Sequence, residues 1–162
     1  MLSGDMLKSL NRQINRELYS AYFYLGMASY AASKNLKGFA NWFNVQVREE
    51  ASHAQRLYDY VVGQDGRVML EAIEEPPQDF KSAEDLFKRT LDHEKKVTGM
   101  INNLVALSMK EKDKTTEEVL QWFVKEQREE EESAERNLRL VRDAGSDRVK
   151  ILNVDNQLAK RK

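Results

Sequence analysis

Phe39-Ala40-Asn41-Trp42-Phe43-Asn44-Val45-Gln46-Val47-Arg48-Glu49-Glu50-Ala51-Ser52-His53-Ala54-Gln55-Arg56-Leu57 has the period of an amphipathic helix. Helical spacing puts Phe39, Phe43, Gln46, Glu50, His53, Leu57 and Tyr60 on one face. Apolar residues hold both ends of that face, and a carboxylate and an imidazole interrupt its middle. Glu50 and His53 stand at i and i+3, so they point to the same side. A carboxylate turned into a core is costly unless something positive satisfies it. No Lys or Arg shares the face, so a bound cation is expected.

The same device recurs. A shift of 77 residues carries Glu17 onto Glu94, Glu50 onto Gln127 and His53 onto Glu130. Glu17 lies on a stripe with Leu10, Ile14, Ala21, Tyr24 and Ala28. Glu94 lies with Phe87, Leu91, Thr98, Ile101 and Val105, and Gln127 and Glu130 with Leu120, Phe123, Ala134 and Val141. Each interruption falls near the middle of its helix. Midpoints meet whichever way a helix points, so all six residues should converge in one layer. Water or an off-stripe arginine would ordinarily explain a single such Glu. Matched spacing in both halves at one depth calls for a shared cause.

The helices around these stripes should run over about 5–33, 38–65, 82–110, 113–142 and 146–159 of 162 residues, as one domain. Ser3 or Asp5 can cap the first, and the stretch 34–38 breaks it. Ser82 with Asp85 resembles a capping box for the third. Arg67 to Lys81, with Pro76-Pro77, reads as extended chain. Its length of about 15 residues could span roughly 50 Å, against roughly 42 Å for a 28-residue helix. It can return along the whole bundle and leave helices two and three parallel. The expected fold is all-α: a four-helix bundle with one long crossover and a short fifth helix, the ferritin-like arrangement. The basic tail Lys160-Arg161-Lys162 is expected to be solvated, and His93, off the stripe, to lie at the surface.

Composition narrows the chemistry. With 26 basic and 27 acidic residues the net charge is -1, and no basic field exists to attract nucleic acid. Cysteine is absent, which excludes disulfides and thiolate-held metals. No apolar run approaches membrane-spanning length, no signal peptide is readable, and cytoplasm is the expected location. Carboxylates with one imidazole and no thiolate suit hard or borderline divalent metals. One Glu from each of two helices plus Glu-x-x-His from the others is the pattern of di-iron carboxylate bundles. The first half matches it. In the second half, Gln127-x-x-Glu130 replaces Glu-x-x-His, so two metal positions should be inequivalent.

Four segments carry a resemblance: Asn15-Arg16-Glu17-Leu18-Tyr19-Ser20-Ala21-Tyr22, Gly38-Phe39-Ala40-Asn41-Trp42-Phe43, Glu49-Glu50-Ala51-Ser52-His53-Ala54 and Leu120-Gln121-Trp122-Phe123-Val124-Lys125-Glu126-Gln127. In order and spacing the chain resembles prokaryotic non-haem ferritin over nearly its whole length. The resemblance implies a homo-oligomeric cage of two dozen subunits. That cage would oxidise ferrous iron with dioxygen or hydrogen peroxide and store it as a ferric oxyhydroxide mineral. It implies a first iron site of Glu17, Glu50 and His53. A second would use Glu50 as shared bridge with Glu94 and Glu130, with Gln127 close by as a hydrogen-bonding or weak ligand. Members of this type can carry a third site, here matched by Glu49, Glu126, Glu129 and Glu130. Tyr24 would hydrogen-bond near the centre and lend an electron, and Trp122 would lie beside it. Haem is not expected: Ala51 stands where a haem-binding relative has methionine. A rubredoxin-type peroxidase iron would need cysteine. The remaining alternatives are a cage subunit that stores iron without oxidising it and a di-iron oxidase or peroxidase of the same superfamily.

Overall fold

The computed structural model describes residues 1–162: five helices and no strand. They are α1 (Gly4–Ser33), α2 (Lys37–Gly63), α3 (Ala83–Glu111), α4 (Lys114–Ala144) and α5 (Arg148–Leu158). Side-chain caps fix most of the starts. Ser3 accepts from the Met6 N–H, Ser82 from Asp85, Asp113 from Thr116, and Asp147 from Val149 and Lys150. Asp85 does not close the expected box onto Ser82; its carboxylate accepts from the Lys81 N–H at 2.9 Å, one residue earlier. α4 stops at Gly145, whose φ of +56° ends the helix at little cost.

α1 pairs with α2 and α3 with α4 as antiparallel hairpins, and the crossover 64–82 joins them along α1. Four contacts set its path. Asn11 donates to the Arg67 carbonyl at 3.1 Å, and Arg16 reaches Glu74 at 3.5 Å. The Pro77 carbonyl lies 2.8 Å from where a Cβ on Gly26 would stand, so this mid-helix glycine makes room for the strap. Tyr30 meets Phe80 edge-on, ring centroids 5.3 Å apart. The strap climbs from the start of α1 to its end, and α3 begins there, parallel to α2.

The core is in two parts. One contains Met6, Leu10, Ile14, Leu57, Ile101 and Phe123, all essentially without exposure. The other is larger and aromatic, built around Tyr24, Phe39, Trp42, Phe43 and Phe87, and extends to Val154 and Leu158 of α5. Between them lies a buried polar layer holding Glu17, Gln46, Glu50, His53, Glu94, Gln127 and Glu130.

α5 docks where α2 begins. Leu36 gives α2 no side-chain cap, and Asp155 of α5 supplies one by accepting from the Phe39 N–H at 3.0 Å. Gly38, at the expected start of the second helix, lies in the first turn of α2 and serves this contact. A Cβ there would stand 1.7 Å from the Asp155 carbonyl oxygen. Gly38→Ala should therefore push α5 away and cost roughly 1–3 kcal/mol. Chemical denaturation would measure the loss, and amide exchange in 148–158 would locate it. Unchanged exchange there would show that α5 does not depend on this approach.

Two expectations about the surface need correction. His93 is half-buried between α1 and α3, stacked on Phe23 at 4.4 Å with its Nε2 2.8 Å from the Ser20 hydroxyl. That hydroxyl already donates to the Arg16 carbonyl at 3.0 Å, so the imidazole is the donor. Burial, with Lys96 adding to it, lowers the His93 pKa to about 4, and the ring is neutral at ordinary pH. The tail is not freely solvated either. Arg161 lies over the Trp42 ring at 4.3 Å, and the Asn41 amide donates to the carbonyls of Leu158, Ala159 and Arg161.

Candidate metal centre

The polar layer follows from the four stripes. Glu17, Glu50, Glu94 and Glu130 are each 7 % exposed or less, and His53 is 3 % exposed. They fall into two groups that share a member. Glu17, Glu50 and His53 bring one ligand atom each to within 4.8 Å of one another, and so do Glu50, Glu94 and Glu130. A third group, His53 with Glu126 and Glu130, lies on the α4 side. No Lys or Arg is in ion-pair contact with Glu17, Glu50, Glu94 or Glu130.

Neighbouring side chains aim these ligand atoms. Gln13, one turn before Glu17, donates to its Oε1 at 2.8 Å. The Tyr24 hydroxyl donates to Glu94. Gln127 donates to Glu94 Oε2 at 3.1 Å, to the Glu94 carbonyl and to Thr98, so its amide nitrogen faces the centre as a hydrogen-bonding group. Gln46 donates to Glu130 at 2.6 Å and to Glu50 at 3.3 Å. His53 Nδ1 stands 3.3 Å from Glu50, and Trp122 meets the imidazole edge-on at 5.5 Å. Partners of this kind hold a metal-ligating side chain in place. Gln13 escaped the sequence reading because it sits at the edge of its stripe; its spacing of four residues from Glu17 was the available signal.

The protein without metal is under electrostatic load. Burial pushes the Glu50 carboxyl well above its usual range, with Glu94, Glu17 and Glu130 adding to the push. Burial likewise raises Glu17, although the Gln13 hydrogen bond opposes it. Glu94 rises to about 7, through burial first and against its hydrogen bonds from Tyr24 and Gln127. Glu130 rises to about 8, through burial and then Glu94. Tyr24 is also raised, by burial and then the Glu94 charge, and stays a phenol. Four carboxyls without a Lys or Arg ion pair are ready to exchange protons for a divalent metal.

The resemblance offers Glu49, Glu126, Glu129 and Glu130 for a third site. Glu126 joins Glu130 and His53, but Glu49 is held by Arg161 at 2.6 Å, and exposed Glu129 lies 3.8 Å from Lys125.

Comparison with known proteins bears on what such a layer is for. The family model described as a ferritin-like domain matches residues 7–144. The chain belongs to the ferritin family. A bacterial non-heme ferritin of Campylobacter jejuni is 41 % identical over 131 residues, covering 81 % of this chain and 78 % of that one. One from Staphylococcus aureus is 34 % identical over 161 residues, covering 99 % and 97 %. Among solved structures, the open-pore ferritin of the hyperthermophilic archaeon Archaeoglobus fulgidus superposes with a TM-score of 0.99 at 46 % identity, each chain covered completely. Iron storage is the work of ferritins, and the iron-binding chemistry of the family has a counterpart here in the carboxylate and imidazole groups of the mid-bundle layer. The ferritin fold also accounts for the long crossover, since it sets α2 and α3 parallel and brings the four polar interruptions to one depth.

Proposed function

We propose that this chain is a ferroxidase subunit of an iron-storage ferritin, working as a single domain with two iron positions inside its own bundle. One observation carries the reading: Glu50 belongs to both ligand groups, Glu17–Glu50–His53 and Glu50–Glu94–Glu130. A carboxylate shared by both groups has two oxygens and could serve an ion in each. Each ion gives one electron to dioxygen or hydrogen peroxide, and the ligand carboxylates offset the added positive charge. Tyr24, on Glu94, is placed to steady that ligand and to lend an electron. Gln46 and Gln13 keep Glu130 and Glu17 aimed as the metals change charge. His53 serves one position only, so the Glu94–Glu130 position should hold iron less firmly. Ferric product then leaves for the interior of the cage, where hydrolysis builds the mineral.

Ferritins assemble as hollow cages, and we place this chain in one of two dozen copies. No helix is long and apolar enough to cross a membrane, and cytoplasm is the proposed location. The non-catalytic storage subunit is less well supported, because such subunits lack ligands that this chain has. Mixing the metal-free protein with ferrous salt in air should raise near-ultraviolet absorbance much faster than ferrous salt alone. Equal rates would rule out the oxidase. Electron microscopy before and after loading should show an empty cage and then a filled one.

A further inference from the structure

A cavity of about 440 Å³ opens between α4 and the end of α5, beside Trp42 of α2. The iron reading makes no use of it. Ser133, Arg136, Asn137 and Leu140 line one wall, and their spacing puts them on one face of α4. Gln157, Lys160 and Arg161 line the other. That second wall is fixed in place. The Asn41 amide donates to the carbonyls of Leu158, Ala159 and Arg161, and the Arg161 guanidinium stacks on Trp42 at 4.3 Å and donates to its carbonyl at 3.2 Å.

The donors around this cavity are free. Asn137 is only 5 % exposed, yet neither its amide nor the Ser133 hydroxyl is bonded to another group of the chain. A buried polar group without a partner is costly, and an acceptor in the cavity would remove that cost. Arg136 and Lys160 are exposed and in no ion pair. Arg161 gives one nitrogen to Glu49 and one to the Trp42 carbonyl, and a guanidinium has further N–H donors. No Asp or Glu lines the cavity. Cations, an amide and a hydroxyl without a carboxylate suit an anion with several acceptor oxygens, and the guanidinium fork matches a phosphate group.

We infer that this cavity is a binding site for a phosphate group, with Arg136 and Lys160 supplying charge and Asn137 and Ser133 donating to its oxygens. The bound anion ties α4 to the tail that follows α5. It lies outside the metal layer, since Ser133 and Asn137 follow Glu130 by about 5 to 10 Å along α4. The inference does not rest on the iron reading. The cavity is roomier than one inorganic phosphate needs, so the same donors fit the free ion or the phosphate of a small monoester.

Calorimetry of the assembled, metal-free protein tests it, with inorganic phosphate and glycerol phosphate titrated separately into a buffer free of phosphate and sulfate. Saturable binding of one anion per subunit is expected. Tighter binding of one titrant identifies the source, free ion or monoester. The double variant Arg136→Gln/Lys160→Gln should bind roughly tenfold more weakly or worse, and Asn137→Ala should also bind more weakly. Phosphate should slow amide exchange in 148–162 of the original chain and not of the double variant. Absence of saturable binding would overturn the inference, as would undiminished binding by the double variant. The same slowing by chloride at equal ionic strength would reduce the effect to screening and overturn it too. Sedimentation of the variants as intact assemblies excludes loss of folding; if the double variant does not assemble, Arg136→Gln alone should show the weakening. The experiment uses no iron, so its failure leaves the metal centre standing.

Discussion

Glu50→Gln is expected to abolish the rapid phase of iron oxidation, lowering the initial rate by roughly 100-fold, the upper end of what even an outer partner of a metal ligand costs. Glu50 is the member common to both buried ligand groups, so its loss damages both positions at once. His53→Ala should do less, since it removes one ligand from one group. The change at Glu50 is nearly isosteric, and it deletes a buried charge that burial and three other carboxylates oppose. The metal-free variant should therefore be at least as stable as the original chain. Stopped-flow absorbance and chemical denaturation, run side by side, separate the two effects. A variant that oxidises iron normally would show that Glu50 is not the bridge; one that is slow only because it is unfolded would betray itself in the denaturation curve.

The metal-free protein should lose stability as pH rises, against the usual behaviour of carboxylates. Unfolded, Glu94 and Glu130 ionise near 4.5; folded, burial holds them to about 7 and about 8, with the Glu17 charge adding to it at Glu94 and the Glu94 charge at Glu130. Glu17 and Glu50 move the same way. Below pH 4.5 both states hold the protons and nothing is gained or lost. Above it the unfolded chain gives its protons up first. Each affected group then weakens the fold by about 1.4 kcal/mol per pH unit, until the folded group ionises too. For Glu94 and Glu130 the decline ends near pH 7 and pH 8. At that slope Glu94 and Glu130 together give roughly 7 kcal/mol from pH 5 upward, so denaturation of chelated protein between pH 5 and pH 8.5 should show a loss of several kcal/mol. Zinc-loaded protein should respond in the opposite sense, because the metal needs the carboxylates deprotonated. A stability that is flat or rising in the chelated protein would mean that these carboxyls are already ionised and satisfied in some other way.

Much of this was legible along the chain because the relevant signals are local. A stripe of apolar residues broken by Glu17 or by Glu50 and His53 can be read on one helix, and the equal depth of the four breaks needs only helix length. The crossover could be sized by counting. What could not be read depends on which helices meet. His93 looked exposed because its partner Ser20 and its stacking partner Phe23 lie on α1, some 73 residues away in sequence for Ser20. Arg161 looked like part of a solvated end because its seat on Trp42 exists only once α5 has docked against α2. Gly38 could be read only as part of the break between the first two helices; that its missing Cβ also makes room for the Asp155 backbone depends on where α5 docks.

The division of the core has a consequence for cargo handling. A centre that passes iron onward must be filled and emptied many times, and its contents change charge on each round. In a bundle with one continuous core, every round would disturb the packing that holds the subunit together. Here the aromatic half above the polar layer and the aliphatic half below it each keep their own grip on all four long helices. The layer between them works like a cartridge holder in a rigid housing: the ions can come and go while the walls stay still.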